Sequence, residues 1–284
     1  METRFLDVSG GRIAYDDTGA GPLVICVPGM GDLRAEYRFL APQLISAGYR
    51  VVTMDPRGEG ESSVRWADYS VASVGVDLLA LARSLGAGPA VVIGNSMAAG
   101  AAVCAAAEAP EQFAGLVLVG PAVRDGQPLW QARILSLLLY GPMLSGPWGV
   151  SMWIRYFTTL FPSAKPDDFD AYCQQLRATM HEPGRMAALR AMLATPKRAS
   201  EERLARVTTP ALIVMGSKDP DFPDATAEAK LIASRLGGTD SRVEMLAGLG
   251  HYPHAEAPDR FTPLALDFLR RVAPTQAGAT HGAE

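Results

Sequence analysis

Val91-Val92-Ile93-Gly94-Asn95-Ser96-Met97-Ala98-Ala99-Gly100 runs from a β-branched apolar stretch into a small-residue helical one, with a serine at the junction. A sharp strand-to-helix turn of this kind lifts a serine hydroxyl above the edge of a sheet. It needs small residues two before and two after the serine so that the backbone can pass close to itself, and Gly94 and Ala98 hold those places. The helix that follows would present its positive end and the unpaired N–H of Met97 to negative charge developing beside Ser96.

Around this junction, short apolar runs alternate with helical patterns, the mark of βαβ units and a mostly parallel sheet. Leu23 to Val27, Val51 to Met54, Ala90 to Ile93, Leu116 to Val119, Ala211 to Met215 and Arg242 to Leu246 read as strands. Residues 4 to 8 and 12 to 16 flank Ser9-Gly10-Gly11 and read as a hairpin. Helices are expected over Arg34 to Ala47, Val71 to Leu85 behind a Ser70 cap, Met97 to Ala109, Ala225 to Leu236 behind Asp224, and Asp259 to Val272. Gly86 and Gly237 stand where helices end in left-handed caps.

Between Val119 and Ala211 the rhythm breaks, and only helical segments punctuated by Pro and Gly are found. The expected organisation is therefore an α/β core of residues 1–123 and 207–273, a helical insert of 124–206, and a flexible tail of 274–284 rich in Ala, Gly and Thr. Three of the four tryptophans and five of the eleven methionines lie in the insert, so they form either its own core or an apolar wall facing a ligand. Trp130, Met152 and Trp153 are the candidates for such a wall.

The 284 residues are 48% hydrophobic and 20% charged, enough to bury a sizeable core. Lys and Arg number 26 against 30 Asp and Glu, a net charge of -4 with no long basic run, which argues against nucleic acid as a partner. Cys26, Cys104 and Cys173 form no C-x-x-C pair and are expected to be reduced thiols. The chain shows neither a signal-peptide pattern nor an integral membrane segment, so a cytoplasmic location is the expectation. The oligomeric state is not legible.

With these motifs in view, the chain resembles the α/β-hydrolase superfamily, in its cap-bearing serine hydrolase branch, from about residue 4 to 272. Val27-Pro28-Gly29-Met30-Gly31-Asp32 stands where family members carry a His-Gly turn, with proline in place of the histidine. The resemblance implies that the backbone N–H of Met30 is a second oxyanion donor beside that of Met97. Met54-Asp55-Pro56-Arg57-Gly58-Glu59-Gly60-Glu61-Ser62 looks like the family's D-x-R-G-x-G-x-S segment, read here as structural. A serine needs a histidine base oriented by a carboxylate. Of four histidines, His281 lies in the tail and His181 in the insert, leaving His251 and His254 in Gly250-His251-Tyr252-Pro253-His254-Ala255-Glu256. His251 matches the family's base, and His254 is read as a packing residue. The spacing Gly216-Ser217-Lys218-Asp219-Pro220-Asp221-Phe222-Pro223 implies Asp219 as the acid, with Asp221 a solvated or capping residue and Asp125 a fallback.

The expected function is hydrolysis of a small apolar carboxylic ester or related acyl substrate through Ser96, Asp219 and His251, with no metal or organic cofactor. Carbon–carbon bond hydrolysis and cofactor-free haloperoxidase or perhydrolase chemistry use the same residues and stay open, as does a low-turnover ligand-binding homologue. The partner is a small molecule. A histidine base near its ordinary pKa predicts activity rising between about pH 6 and 7.

Overall fold

Strand residues divide by parity between two helical layers, and that division explains the architecture. In β3 (Leu23–Val27), Leu23, Ile25 and Val27 pack into one buried cluster while Val24 and Cys26 pack into another on the opposite face. The computed structural model describes residues 2–125, 142–238, 240–273 and 275. Its sheet has eight strands in the order β1-β2-β4-β3-β5-β6-β7-β8. β1 (Arg4–Val8) and β2 (Gly11–Thr18) form the hairpin, and β2 pairs antiparallel with β4 (Arg50–Met54). All other pairings, through β5 (Ala90–Asn95), β6 (Phe113–Val119), β7 (Ala211–Gly216) and β8 (Ser241–Leu246), are parallel. Central parallel strands covered on both faces read as continuous apolar runs, and β3, β5 and β7 are buried throughout.

Arg34 to Ala47 is not one helix. A 3-10 turn (Arg34–Tyr37) precedes α1 (Leu40–Ser46). Pro42 accounts for the break: it has no N–H and its ring clashes with the carbonyl four residues back, so it is tolerated only near a helix start. α2 (Val71–Leu85) begins where the Ser70 hydroxyl accepts the Ser73 N–H and ends at Gly86 with φ 58°. α3 (Met97–Glu108) is buried over most of its length, its alanines letting it lie close against α2.

Between β6 and β7 no strand occurs among the described residues; the chain forms α4 (Gly149–Thr159), α5 (Phe169–Met180), α6 (Arg185–Ala194) and the short α7 (Arg198–Glu201). Phe157 and Phe161 stack with Phe169, Tyr172 and Tyr252 into an aromatic cluster there. α8 (Ala225–Arg235) starts at Asp224, whose carboxylate accepts the Ala227 N–H at 2.9 Å. Gly237, expected as a left-handed cap, is instead a point of close approach, since a Cβ there would meet the Ala205 carbonyl at 2.1 Å. The short α9 (Pro253–Glu256) and α10 (Pro258–Val272) end the fold. None of the described helices is long and apolar enough to cross a membrane.

The strand order reverses at β3, which sits between β4 and β5. In open α/β sheets the crevice at the carboxyl ends of the strands around such a point is where ligands bind. Val27 of β3 pairs with Gly94 of β5, so the loops after these strands emerge side by side.

Candidate active site

Ser96 has φ 53° and ψ -118°, and it is the one non-glycine residue with positive φ among the described residues. A conformation this rare costs roughly 1–3 kcal/mol and persists where its surroundings impose it. Here the Ser96 N–H donates to the Val119 carbonyl at 2.9 Å and the Ser96 carbonyl accepts from Ala99 and Ala122. A Cβ on Gly94 would lie 2.8 Å from the Ala98 carbonyl oxygen, so the turn requires glycine two residues before the serine.

His251 and Asp219 come from the loops after β8 and β7. Nδ1 of His251 lies 2.7 Å from Oδ2 of Asp219, both side chains being buried. Asp219 is held in turn by the Asp221 N–H, 3.0 Å from its Oδ1. The His251 backbone is fixed at both ends of its peptide: its N–H donates to the Leu160 carbonyl, and its carbonyl accepts the Asn95 side-chain amide at 3.1 Å. Glu256 braces the same loop by accepting the Gly250 N–H at 2.6 Å and the Ser163 N–H at 2.9 Å. Burial opposes the imidazolium of His251, but the carboxylates of Asp219, Asp221 and Glu36 outweigh it and raise its pKa to about 9, above the ordinary value used for the sequence expectation.

The loop after β3 is pinned on both sides of Met30. Gly29 donates its N–H to Glu36 at 3.3 Å and Gly31 donates to Glu59 at 2.8 Å, while the Gly31 carbonyl accepts the Trp153 indole N–H at 2.9 Å. Among the described residues the N–H groups of Met30 and Met97 find no protein acceptor. A Cβ on Gly29 would sit 3.1 Å from the Ser96 Cβ, which shows how closely this loop passes the serine.

Ser96, His251, Met30, Met152, Trp153 and Asp221 open onto one cavity of about 760 Å³. Met152 and Trp153 therefore reach the same space as the serine, and both also pack within the aromatic cluster. Trp130 lies outside the described residues. So does the tail, apart from Thr275. Asp125 also lines the cavity but accepts the Lys197 N–H at 2.9 Å, and it is Asp219 that bonds to His251.

Asp221, read from the sequence as a solvated or capping residue, is exposed and also faces the histidine. Its Oδ2 lies 3.8 Å from Nε2 of His251, and its Oδ1 accepts the Tyr156 hydroxyl at 2.5 Å. Asp219, Asp221 and His251 offer three potential metal-ligand atoms within 4.8 Å of one another, though Nδ1 of His251 is already engaged by Asp219. Within the Asp55 to Ser62 segment, Arg57 grips Asp77 of α2 through two bonds of 2.7 and 2.8 Å, and Asp55 accepts the backbone N–H groups of Arg34 and Glu61. These residues shape the loop and do not reach the cavity.

His254 is wholly buried, stacked on Tyr37 with its Nε2 2.6 Å from Oε1 of Glu36. Burial pushes its pKa down to about 3 and that of Glu36 up to about 8, so His254 packs as a neutral ring. Sequence reasoning missed Glu36, Glu59 and Glu256 as the acceptors that fix the loops of Met30 and His251. The signal available was their position: acidic residues in or beside Gly-rich loops, where backbone N–H groups need acceptors. The three cysteines are free thiols.

Comparison with known proteins agrees with this fold. A family model described as serine aminopeptidase, S33, matches residues 20–258. The chain is 27% identical over 282 residues to a 2-hydroxy-6-oxo-6-phenylhexa-2,4-dienoate hydrolase of Comamonas testosteroni, covering 93% of each protein. It is 25% identical over 259 residues to a monoacylglycerol lipase of Mycolicibacterium smegmatis, covering 88% of this chain and 89% of the lipase. An esterase from Exiguobacterium antarcticum superposes with a TM-score of 0.82 at 22% identity, over 95% of this chain and all of the esterase. The chain thus belongs to the α/β-hydrolase family described as serine aminopeptidase, S33, and is an enzyme of that fold.

Proposed function

We propose that this hydrolase cleaves carboxylic esters of apolar acids through an acyl-enzyme on Ser96. The observation that carries the reading is the convergence on one cavity of a serine at a strained elbow and a histidine paired at 2.7 Å with a buried aspartate. Neutral His251 takes the Ser96 proton through Nε2 as the oxygen attacks the ester carbonyl, and Asp219 orients the ring and stabilises the imidazolium. The unpartnered N–H groups of Met30 and Met97 receive the oxyanion. The imidazolium returns its proton to the departing alcohol, and water, activated by the same histidine, frees the acid and Ser96. Residues 124–206 act as a cap whose Met152 and Trp153 wall the acyl end, over a core of residues 1–123 and 207–273. The chain's own residues suffice for each of these steps.

Cleavage of a carbon–carbon bond in an anionic dienoate is less favoured, because Asp221 sets a carboxylate beside Nε2 of His251, where an anion at that end of the substrate is repelled. The test is a panel of p-nitrophenyl esters beside fluorophosphonate labelling with peptide mapping. The label should fall on Ser96, and Ser96→Ala and His251→Ala should each lower turnover by orders of magnitude, with little further loss when combined. A label on Ser62 or Ser145, or additive losses, would overturn the assignment.

A further inference from the structure

The imidazole of His251 has a carboxylate on each side. Asp219 occupies Nδ1, as orientation of a base requires, but Asp221 stands on the other side, 3.8 Å from Nε2. That is the nitrogen that must face Ser96 and then hand its proton to the leaving oxygen. The Tyr156 hydroxyl holds Oδ1 of Asp221 at 2.5 Å and so leaves Oδ2 turned toward Nε2. The Asp221 side chain is 29% exposed and lines the cavity between Pro220 and Phe222.

Lys197 also lines the cavity, and several of the other charged groups of its wall are engaged elsewhere. Arg124 is bound by both carboxylate oxygens of Glu228, Asp224 caps α8, and Asp125 accepts the Lys197 N–H. Among these groups Asp221 is the one whose carboxylate lies beside Nε2 of His251.

We propose that Asp221 forms a leaving-group subsite selecting esters whose alcohol carries a hydrogen-bond donor, a hydroxyl or an ammonium, two carbons from the ester oxygen. The inference rests on the ester hydrolase reading above. When Ser96 Oγ bonds to the carbonyl carbon and the bond to the alcohol oxygen breaks, the proton on Nε2 passes to that oxygen, which must lie beside Nε2. A donor on the second carbon is then within reach of Oδ2 of Asp221, whereas a plain alkyl group leaves the carboxylate facing an apolar surface. A site built around a polar group discriminates strongly against an analogue that lacks the matching one.

The experiment compares kcat/KM at neutral pH for two isosteric pairs of butyrate esters: 2-hydroxyethyl against propyl, and 2-(dimethylammonio)ethyl against 3-methylbutyl. Wild type should favour the donor-bearing member of each pair by about tenfold or more. Asp221→Leu should abolish both preferences, and Asp221→Asn should abolish the ammonium preference first, since it keeps an acceptor but loses the charge. Tyr156→Phe should weaken both by releasing the carboxylate from its fixed orientation. In wild type, added salt should shrink the ammonium preference and spare the hydroxyl preference, a measurement that needs no variant. Equal rates within the pairs, ratios unchanged in the Asp221 variants, or an ammonium preference indifferent to salt would overturn the subsite while the enzyme remained an esterase. If wild type cleaves neither member of either pair nor any p-nitrophenyl ester, the esterase reading falls and the subsite with it.

Discussion

The indole N–H of Trp153, on α4, donates to the carbonyl of Gly31 at 2.9 Å, 122 residues away in the chain. The ring lies so close to the loop that a Cβ on Gly31 would fall 2.1 Å from it. A residue expected to serve as pocket wall thus also fastens the loop that presents the Met30 N–H. Trp153→Phe keeps an aromatic ring but leaves the buried Gly31 carbonyl unpaired, at a cost of about 1–3 kcal/mol. Denaturant unfolding should show that loss, and kcat should fall more than KM rises. Unaltered stability and kcat would mean that the bond contributes nothing to the loop.

The raised pKa of His251 sets the pH response. A base must be neutral to accept the serine proton, so kcat/KM should climb with pH, its midpoint displaced above the ordinary imidazole value toward about 9. Asp221→Asn removes one of the carboxylates that hold the proton on the ring, so the midpoint should move down. Asp219→Asn should lower turnover by roughly 10⁴, because the ring loses its orienting partner. A profile that is flat across this range, or a midpoint unmoved in Asp221→Asn, would contradict the electrostatics. Folding responds with the same pKa: a histidine whose folded pKa is raised adds stability that is complete below its unfolded pKa and is lost as pH rises through about 9.

Gly120, with φ 49°, passes close to the His251 and Asp219 pair. A Cβ there would stand 3.0 Å from Nδ1 of His251 and 3.2 Å from Oδ2 of Asp219. Gly120→Ala should push the ring from its place and lower kcat by about tenfold to a hundredfold, as small displacements of catalytic groups do. The check is a kcat measurement on protein whose unfolding transition shows it folded. Full activity would place the pair on a more yielding framework than the contacts indicate.

If the apolar side chains from the proposed cap line the acyl end, each added buried methylene contributes up to about 0.8 kcal/mol, close to fourfold in kcat/KM per carbon. The gain should stop once the cavity of about 760 Å³ is filled. Rates for acetate, butyrate, hexanoate and longer p-nitrophenyl esters test this, and Met152→Ala should shift the optimum to longer chains. Best activity on acetate would mean that these residues pack only against one another.

Local pattern determined the sheet and the loops that bear the candidate site. Burial on one or both faces of a strand is written as alternation or as a continuous apolar run, so β3, β5, β6 and β7 are legible within a few residues. The turn at Ser96 is legible because only small residues let a chain fold back so tightly, and Gly94 meets that demand against Ala98 itself. Ser70 and Asp224 were readable as caps for the same reason: each satisfies an N–H three residues on.

What tertiary structure alone decided are the pairings between distant segments. Nothing near Asp221 in sequence indicates that its carboxylate meets Nε2 of His251, or that Tyr156 will hold it there. Nor does the local pattern show that Glu36 and Glu59 will secure the peptides on either side of Met30, leaving that N–H unpartnered. Periodicity records whether a side chain is buried. Which group it meets there depends on how loops from separate strands converge at one end of the sheet, a geometry fixed only when the layers have packed.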